Sequence, residues 1–141
     1  MPQSSWSILL DLLMGAAAGL AGVHQDLVRV VERARAAAPF IVTEGLRTAE
    51  RQAALVQAGA SRTLKSRHLT GHAVDLAYWL DDGDNTPEAG EIRWDWPLYS
   101  QIAAAMKAAA KAEGVKLVWG GDWLSFRDGP HFELDRRGYP T

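Results

Sequence analysis

The chain of 141 residues contains no cysteine. It therefore has no disulfide framework, no thiolate nucleophile and no cysteine-ligated zinc or iron–sulfur centre. Any metal site in this protein has to be built from histidine and carboxylate ligands. Positive charge is not in excess either, because 15 lysines and arginines face 17 aspartates and glutamates. A formal net charge of −2 argues against a dedicated nucleic-acid-binding protein, which would normally show a basic stripe.

The sequence also lacks a clean apolar run that could cross a membrane. Its most apolar stretch, residues 8–23, is interrupted by Asp11 and has no lysine or arginine before it. A signal peptide needs a basic start and an uninterrupted apolar run, and a membrane span needs roughly 20 apolar residues. The stretch is therefore predicted to be a packed helix followed by a Gly/Ala-rich turn, without a signal peptide and without stable membrane association.

What remains is the composition of an ordinary globular protein, with 48% hydrophobic and 23% charged residues. The length predicts one domain over residues 1–141, including an apolar N-terminal segment, 1–22, of uncertain role. Side-chain periodicity, helix caps and breakers predict seven elements. These are helices at 24–38, 49–58 and 98–113, and strands at 40–44, 73–79, 116–119 and 131–134. This order predicts an α+β domain.

One short stretch concentrates chemistry in otherwise apolar surroundings, with His68, His72 and Asp75 within eight residues. A spacing of four between the histidines would suit a helical zinc motif. However, Leu69 stands next to His68 where that motif has its glutamate, and Gly71 falls inside the helical turn. An extended chain from His72 onward instead places His72 and Asp75 on opposite faces, while His68 can fold back over Gly71 to reach Asp75.

Asp75 lies between two apolar residues, where an unpaired carboxylate would be costly to bury. A cation held by His68, Asp75 and the distant His131 would remove that cost. Two imidazole nitrogens and one carboxylate suit zinc, with a fourth position left for water. The alternative is a buried hydrogen-bonded network of the same three side chains. The fourth histidine, His24, is predicted to be a helix cap or a surface residue.

A zinc-bound water needs a proton acceptor. Asp128 and Glu133 flank His131 in the sequence, and from their positions alone either could be the general base. Asp128 could instead cap the turn at Gly129. Arg47, between a predicted strand and a predicted helix, could stabilise negative charge on a carbonyl oxygen. Its alternative is an ordinary surface arginine. The acidic stretch 81–85 lacks the glutamate of a calcium-binding EF-hand loop, so a solvated loop is predicted there.

The order and spacing of these residues resemble a known family. The matching motifs are Ser66-x-His68-x-x-Gly71-x-Ala73-x-Asp75, Asp128-x-x-His131-Phe-Glu133, Glu44-Gly45-Leu46-Arg47-Thr48 and Trp119-Gly120-Gly121-Asp122-Trp123. Together they resemble the zinc peptidases of the D-alanyl-D-alanine carboxypeptidase and VanY type, peptidase family M15. The resemblance is closest to the short phage endolysins that are L-alanyl-D-glutamate endopeptidases. It extends from about residue 23 to residue 134.

The resemblance implies a small α+β domain of the Hedgehog/DD-peptidase-like type, in which helices flank a short antiparallel sheet. It also implies a site of nine residues in three roles. The zinc ligands would be His68, Asp75 and His131. The catalytic residues would be Asp128, as general acid/base, and Arg47, at the substrate or its scissile carbonyl. The substrate-binding residues would be Ser66 and Gln52, lining the cleft, and Trp119 and Trp123, shaping its wall.

The implied activity is hydrolysis of the L-alanyl-D-glutamate bond in the stem peptide of peptidoglycan. Two alternatives stay open at this point: a D-Ala-D-Ala carboxypeptidase of the same fold, and a non-catalytic zinc-binding module. The resemblance further implies a bacteriolytic phage protein that is made in the host cytoplasm and acts at the bacterial cell wall. A monomer without a separate cell-wall-binding domain is expected. Residues 8–22 are more apolar than the family pattern suggests.

Overall fold

The computed structural model describes residues 19–80 and 92–141. The predictions made for most of the apolar N-terminal segment and for the acidic stretch 81–85 lie outside these ranges. Within the two ranges, no helix combines the length and the apolar character that a membrane crossing requires.

The described residues form three α-helices and five strands. The helices are α1 (Gln25–Ala34), α2 (Ala49–Gln57) and α3 (Trp96–Glu113). The strands are β1 (Phe40–Glu44), β2 (Ala73–Trp79), β3 (Ile92–Arg93), β4 (Leu117–Trp119) and β5 (His131–Leu134). Two 3₁₀ helices, Arg67–Thr70 and Gly120–Asp122, precede β2 and follow β4.

All strand pairs are antiparallel, in the order β1-β2-β5-β4. The short strand β3 pairs with the end of β2, where Trp79 lies opposite Ile92. β2 is therefore the centre of the sheet. Its register with β5 places Asp75 opposite His131, so two residues far apart in the sequence become cross-strand neighbours.

Local signals account for the helix ends. His24 caps α1, because its Nδ1 accepts a hydrogen bond from the backbone N–H of Asp26 at 3.0 Å. The predicted helix extends to residue 38, but α1 ends at Ala34. The chain continues to Pro39 in a tighter turn, in which backbone N–H groups bond to the carbonyl oxygen three residues earlier. Gly114, with φ of +71°, ends α3 at the predicted position.

The main core lies between the sheet and the two longer helices. Side chains of α1 and α3 pack against one face of β2 and β5, and most of them are fully buried. The fully buried side chains from the two helices and the two strands include Leu27, Val30, Val31, Val74, Leu76, Ile102, Met106, Phe132 and Leu134. Since side chains alternate along a strand, burying Val74 and Leu76 on this face leaves Asp75 on the other. The core thus sets the direction in which the site residues point.

The α+β class with an antiparallel sheet is confirmed, and most strand limits agree with the prediction. One difference is β3, which lies in a stretch predicted to be loop (81–95). A strand of two residues is too short to show the alternation of side chains that predicts a strand. It is defined by its pairing with Tyr78 and Trp79. The other is β4, which begins at Leu117 instead of residue 116.

Candidate metal centre

Two imidazole side chains converge on one carboxylate oxygen of Asp75, on the face of the sheet opposite the main core. His131 Nδ1 lies 3.3 Å from Asp75 Oδ1, and His68 Nε2 lies 3.2 Å from the same oxygen. The two imidazole rings meet edge to face, with centroids 5.1 Å apart. One ligand atom from each residue lies within 4.8 Å of the other two. In the part of the chain that is described, this is the only such group of three or more residues that could hold a metal ion.

His68 reaches Asp75 through the 3₁₀ helix that precedes β2. Ser66 caps this helix, since its Oγ accepts a hydrogen bond from the backbone N–H of His68 at 3.2 Å. Gly71 then turns the chain into β2 with φ of +74°, a conformation that favours glycine. His68 Nδ1 donates to the carbonyl oxygen of Gly45 at 2.8 Å, which leaves Nε2 directed at Asp75. The predicted fold-back of His68 over Gly71 is what the structure shows.

His131 is oriented from its far side by Glu133. The Nε2 atom of His131 lies 2.9 Å from Glu133 Oε1, while Nδ1 faces Asp75. Glu133 is buried and is also bonded by Arg136 Nε at 3.3 Å. A carboxylate on the outer nitrogen of an imidazole fixes the ring and its tautomer, as in many metal sites. Glu133 therefore lies behind His131 and does not line the cleft.

Buried charge is balanced within this cluster. Burial opposes ionisation of Asp75, but hydrogen bonds with His131 and His68 hold the pKa of its carboxyl well below the usual range. Burial also opposes the charge on His131. Its hydrogen bonds with Asp75 and Glu133 nevertheless raise its pKa to about 9. A carboxylate that stays ionised beside two imidazoles is a suitable donor set for a divalent cation.

Arg47 approaches the cluster from the loop between β1 and α2. Its Nη2 lies 3.5 Å from Asp75 Oδ2, and its Nε donates to Glu44 Oε1 at 2.7 Å. Gln52 accepts from Arg47 Nη1 at 2.8 Å and donates in turn to Ser61 Oγ at 2.8 Å. Gln52 is almost completely buried and is not among the residues that line the cleft. The expected cleft-lining position of Gln52 is thus corrected: it holds Arg47 from behind.

Asp128 lies on the same cleft, in the turn that leads into β5. Its backbone N–H donates to the carbonyl oxygen of Gly120 at 3.0 Å, and its own carbonyl oxygen accepts from the N–H of His131 at 3.3 Å. Any side chain at Gly120 would collide with this turn, since a Cβ there would lie 2.5 Å from the Asp128 carbonyl oxygen. Burial raises the pKa of the Asp128 carboxyl, and the nearby charge of Asp75 raises it further. Asp128 is thereby a carboxyl group that keeps its proton to a higher pH than an exposed aspartate does.

The two predicted tryptophans of the cleft differ in position. Trp123 lines the cleft with Ser66, and its ring centroid lies 5.2 Å from that of His131. Trp119 does not line it. It is buried, stacks on Phe132 and donates from Nε1 to the carbonyl oxygen of Gly129 at 2.7 Å. The expectation for Trp119 is corrected accordingly: core packing holds it behind the turn that carries Asp128.

His72 and His24 lie away from the cluster. Their rings are 5.4 Å apart, and His72 Nδ1 lies 2.8 Å from Thr70 Oγ1. The prediction that His72 points away from Asp75 agrees with this geometry.

The cleft has a volume of about 1020 Å³ and includes residues that belong to none of the predicted site roles. These lie on its rim and are Arg51, Arg62, Trp94, Phe126 and Arg127. Phe126 and Arg127 directly precede Asp128, so proximity in sequence was a usable signal for them. Arg62 lies in a polar loop and carried no such signal.

An open cleft with a His–Asp–His cluster and a neighbouring carboxylate is the arrangement of metal-dependent hydrolases. Comparison with known proteins agrees with this class. The model of the phage L-alanyl-D-glutamate peptidase family matches residues 12–137. The chain is 32% identical over 126 residues to the L-alanyl-D-glutamate peptidase of Escherichia phage T5, covering 85% of each chain. This chain belongs to the phage L-alanyl-D-glutamate peptidase family, as predicted.

Two further relatives define the extent of the likeness. The chain is 38% identical over 101 residues to the L-alanyl-D-glutamate peptidase of Listeria phage A118, covering 72% of this chain but only 32% of that protein. It thus spans about a third of the length of that relative. The solved structure of the Serratia marcescens L-Ala D-Glu endopeptidase ChiX is 48% identical, with a TM-score of 0.78, and covers 89% of this chain and 90% of its own.

The fold extends to a more distant solved structure. The vancomycin-resistance D,D-dipeptidase VanXYg is 23% identical, with a TM-score of 0.50, over 84% of this chain and 51% of its own. At this identity the similarity concerns the fold alone.

Proposed function

We propose that this chain is a zinc-dependent endopeptidase that hydrolyses the L-alanyl-D-glutamate bond of the peptidoglycan stem peptide. The observation that carries the proposal is the convergence of His68, Asp75 and His131 on one cleft wall with Asp128 beside them. The names of the relatives with which the chain shares 32–48% identity supply the bond. The proposed place of action is the bacterial cell wall, reached by a monomer made in the host cytoplasm.

The donor set fits zinc better than the other common cations. It offers two imidazole nitrogens and one carboxylate oxygen, whereas magnesium and calcium favour sets made only of oxygen. The cluster faces the cleft, so three protein ligands leave room for one water or substrate atom. Zinc held there would polarise the scissile carbonyl and lower the pKa of a bound water to about 7.

Asp128 is the proposed general acid/base. Asp128 lines the cleft, and burial raises the pKa of its carboxyl group, which suits a group that both accepts and donates a proton. Glu133 is engaged by His131 and Arg136 on the outer side of the cluster, which leaves it no path to the cleft. In the proposed reaction Asp128 takes a proton from the attacking water and delivers it to the nitrogen of the leaving amine.

Arg47 and two cleft residues complete the proposed site. Bonds to Glu44 and Gln52 hold the guanidinium of Arg47 in place, so its positive charge is preorganised beside the reacting carbonyl group. Ser66 and Trp123 line the cleft next to the metal ligands and are proposed to contact the peptide. Gln52 and Trp119 are proposed to act through the groups they support.

The test is digestion of purified peptidoglycan, followed by mass spectrometry of the released muropeptides. The expected products are amino-sugar fragments that end in L-alanine and peptides that begin with D-glutamate. A chelator should abolish the activity, and added zinc should restore it. Release of single D-alanine residues, with the L-alanyl-D-glutamate bond left intact, would instead identify a carboxypeptidase. Tight zinc binding without any cleavage would identify a non-catalytic zinc module.

A further inference from the structure

Two exposed side chains from different loops stack against each other on the rim of the cleft. Arg62 lies in the loop after α2, and Phe126 lies in the loop before β5. The guanidinium carbon of Arg62 is 3.6 Å from the centroid of the Phe126 ring, a distance of direct face-to-face contact. Both residues line the cleft that contains the metal cluster.

Core burial does not explain the position of Phe126, because 64% of its surface is exposed. Its backbone has φ of +54°, and among the described residues it is the only one other than glycine with a positive φ. A bulky residue in this region is strained. Such strain is concentrated at ligand clamps and active sites, where the surroundings hold it in place. The ring is therefore held out over the cleft at a cost in backbone energy.

Among the described residues, Arg62 is the cleft arginine whose guanidinium N–H donors contact no acceptor. Arg47 and Arg51 donate to Glu44 at 2.7 and 2.9 Å, and Arg127 donates to a backbone carbonyl oxygen at 2.9 Å. Within residues 19–80 and 92–141, no hydrogen-bond acceptor or carboxylate meets the Arg62 guanidinium. Stacking on Phe126 occupies the face of this planar group and leaves the N–H donors in its plane available. Arg62 thus presents a fork of donors suited to a carboxylate.

The position of Phe126 along its loop places the Arg62 guanidinium on the same wall as Asp128, the proposed proton donor to the leaving amine. Phe126 precedes Asp128 by two residues, which limits their Cα separation to about 7 Å. The amine that Asp128 is proposed to protonate belongs to D-glutamate. When the γ-carboxyl group of D-glutamate forms the next peptide bond, its α-carboxylate is free. This carboxylate lies on the same carbon as the amine. Asp128 repels this carboxylate, so a cation on this wall is needed to hold it.

We propose that Arg62, held by stacking on Phe126, binds the α-carboxylate of the D-glutamate on the leaving side of the scissile bond. Arg62 is then a specificity-determining residue that selects an acidic residue at this position, and this assignment rests on the proposed function. The ligand class is a carboxylate, recognised by charge-assisted hydrogen bonds.

The experiment compares two synthetic stem tripeptides, L-Ala-γ-D-Glu-L-Lys with the free α-carboxylate and the same peptide with that group as a carboxamide. Values of kcat/KM are measured for the zinc-loaded wild-type protein and for Arg62→Gln, Arg62→Lys and Arg127→Gln. The matched control is Arg137→Gln, at an exposed arginine outside the cleft.

The wild-type protein and Arg137→Gln are expected to favour the free carboxylate about tenfold to a hundredfold. Arg62→Gln should bring the ratio to about one, and Arg62→Lys should keep part of the preference. An unchanged ratio in Arg62→Gln overturns the assignment, as does loss of preference in Arg127→Gln alone. If the wild-type protein cleaves neither peptide nor peptidoglycan, the proposed function itself is overturned.

Discussion

Two walls of the same cleft are built in different ways. The metal cluster rests on the sheet, where Asp75 and His131 face each other on paired strands whose opposite faces are fully buried. The wall that carries Phe126 and Asp128 is a loop tied down by a few backbone hydrogen bonds at Gly120 and His131. A sheet gives the precision that metal ligands need, whereas a loop allows the substrate-facing groups to vary. Substitutions on each wall test this division.

The largest effect is expected from removing the shared ligand. Asp75→Ala should abolish tight zinc binding and lower activity by at least about a thousandfold, because both imidazoles converge on this carboxylate. Metal content after dialysis and hydrolysis of peptidoglycan are the measurements. The matched control is Leu76→Ala on the other face of β2, which should lower the free energy of unfolding by about 2–5 kcal/mol. Its folded fraction should still bind zinc; if it does not, core and cluster are not separable.

A smaller loss is expected on the loop wall. Asp128→Asn should lower kcat by about 10²–10⁴-fold, because the amide cannot take up the proton of the attacking water. Zinc content should remain one ion per chain, since Asp128 is not one of the three clustered ligands. Metal loss in this variant would show that the two walls are coupled. Full activity would remove Asp128 from the proposed acid/base role.

An intermediate effect is expected from the residue behind His131. Glu133→Gln should weaken zinc affinity by about 10–100-fold, because the carboxylate that orients the imidazole is replaced by a neutral amide. Activity should return at saturating zinc. The measurements are competition with a chromogenic chelator and kcat at high zinc concentration. A loss of kcat that persists with the site filled would assign the base role to Glu133.

The smallest effect is expected from pH, as a change in zinc affinity per pH unit. Since the pKa of His131 is raised to about 9, this imidazole carries a proton at pH 7 when no cation is bound, and metal binding has to release it. Zinc affinity should therefore rise about tenfold per pH unit between pH 7 and 9 and level off above. Calorimetry in buffers of different ionisation enthalpy measures the released proton. Binding without proton release would contradict the proposed state of His131.

Most of the fold was accessible from local sequence signals. β-branched and apolar residues predicted β2 and β5 with their observed limits, and Gly114 predicted the end of α3. The prediction was wrong at β3, which depends on pairing with the distant strand β2. It was also wrong at the last turn of α1, where a local 3₁₀-type turn before Pro39 replaces the predicted α-helical turn.

The candidate site was only partly accessible for the same reason. Metal-ligating residue types at a specific spacing predicted that His68, Asp75 and His131 come together, and the structure groups these three residues. Gln52 and Trp119 were expected in the cleft and lie behind it. Residue type alone does not say which side of a wall a side chain occupies.

By itself, the sequence indicated the family through its spaced motifs. The absence of cysteine excluded thiolate chemistry, and the alternation along β2 placed Asp75 opposite the core face. Tertiary structure decided the rest. It oriented His131 through Glu133, which separated the two candidate bases. It also brought Arg62 over Phe126 from a loop more than sixty residues away. These outcomes depend on contacts between distant segments, and such contacts exist only after the sheet has formed and its core is packed.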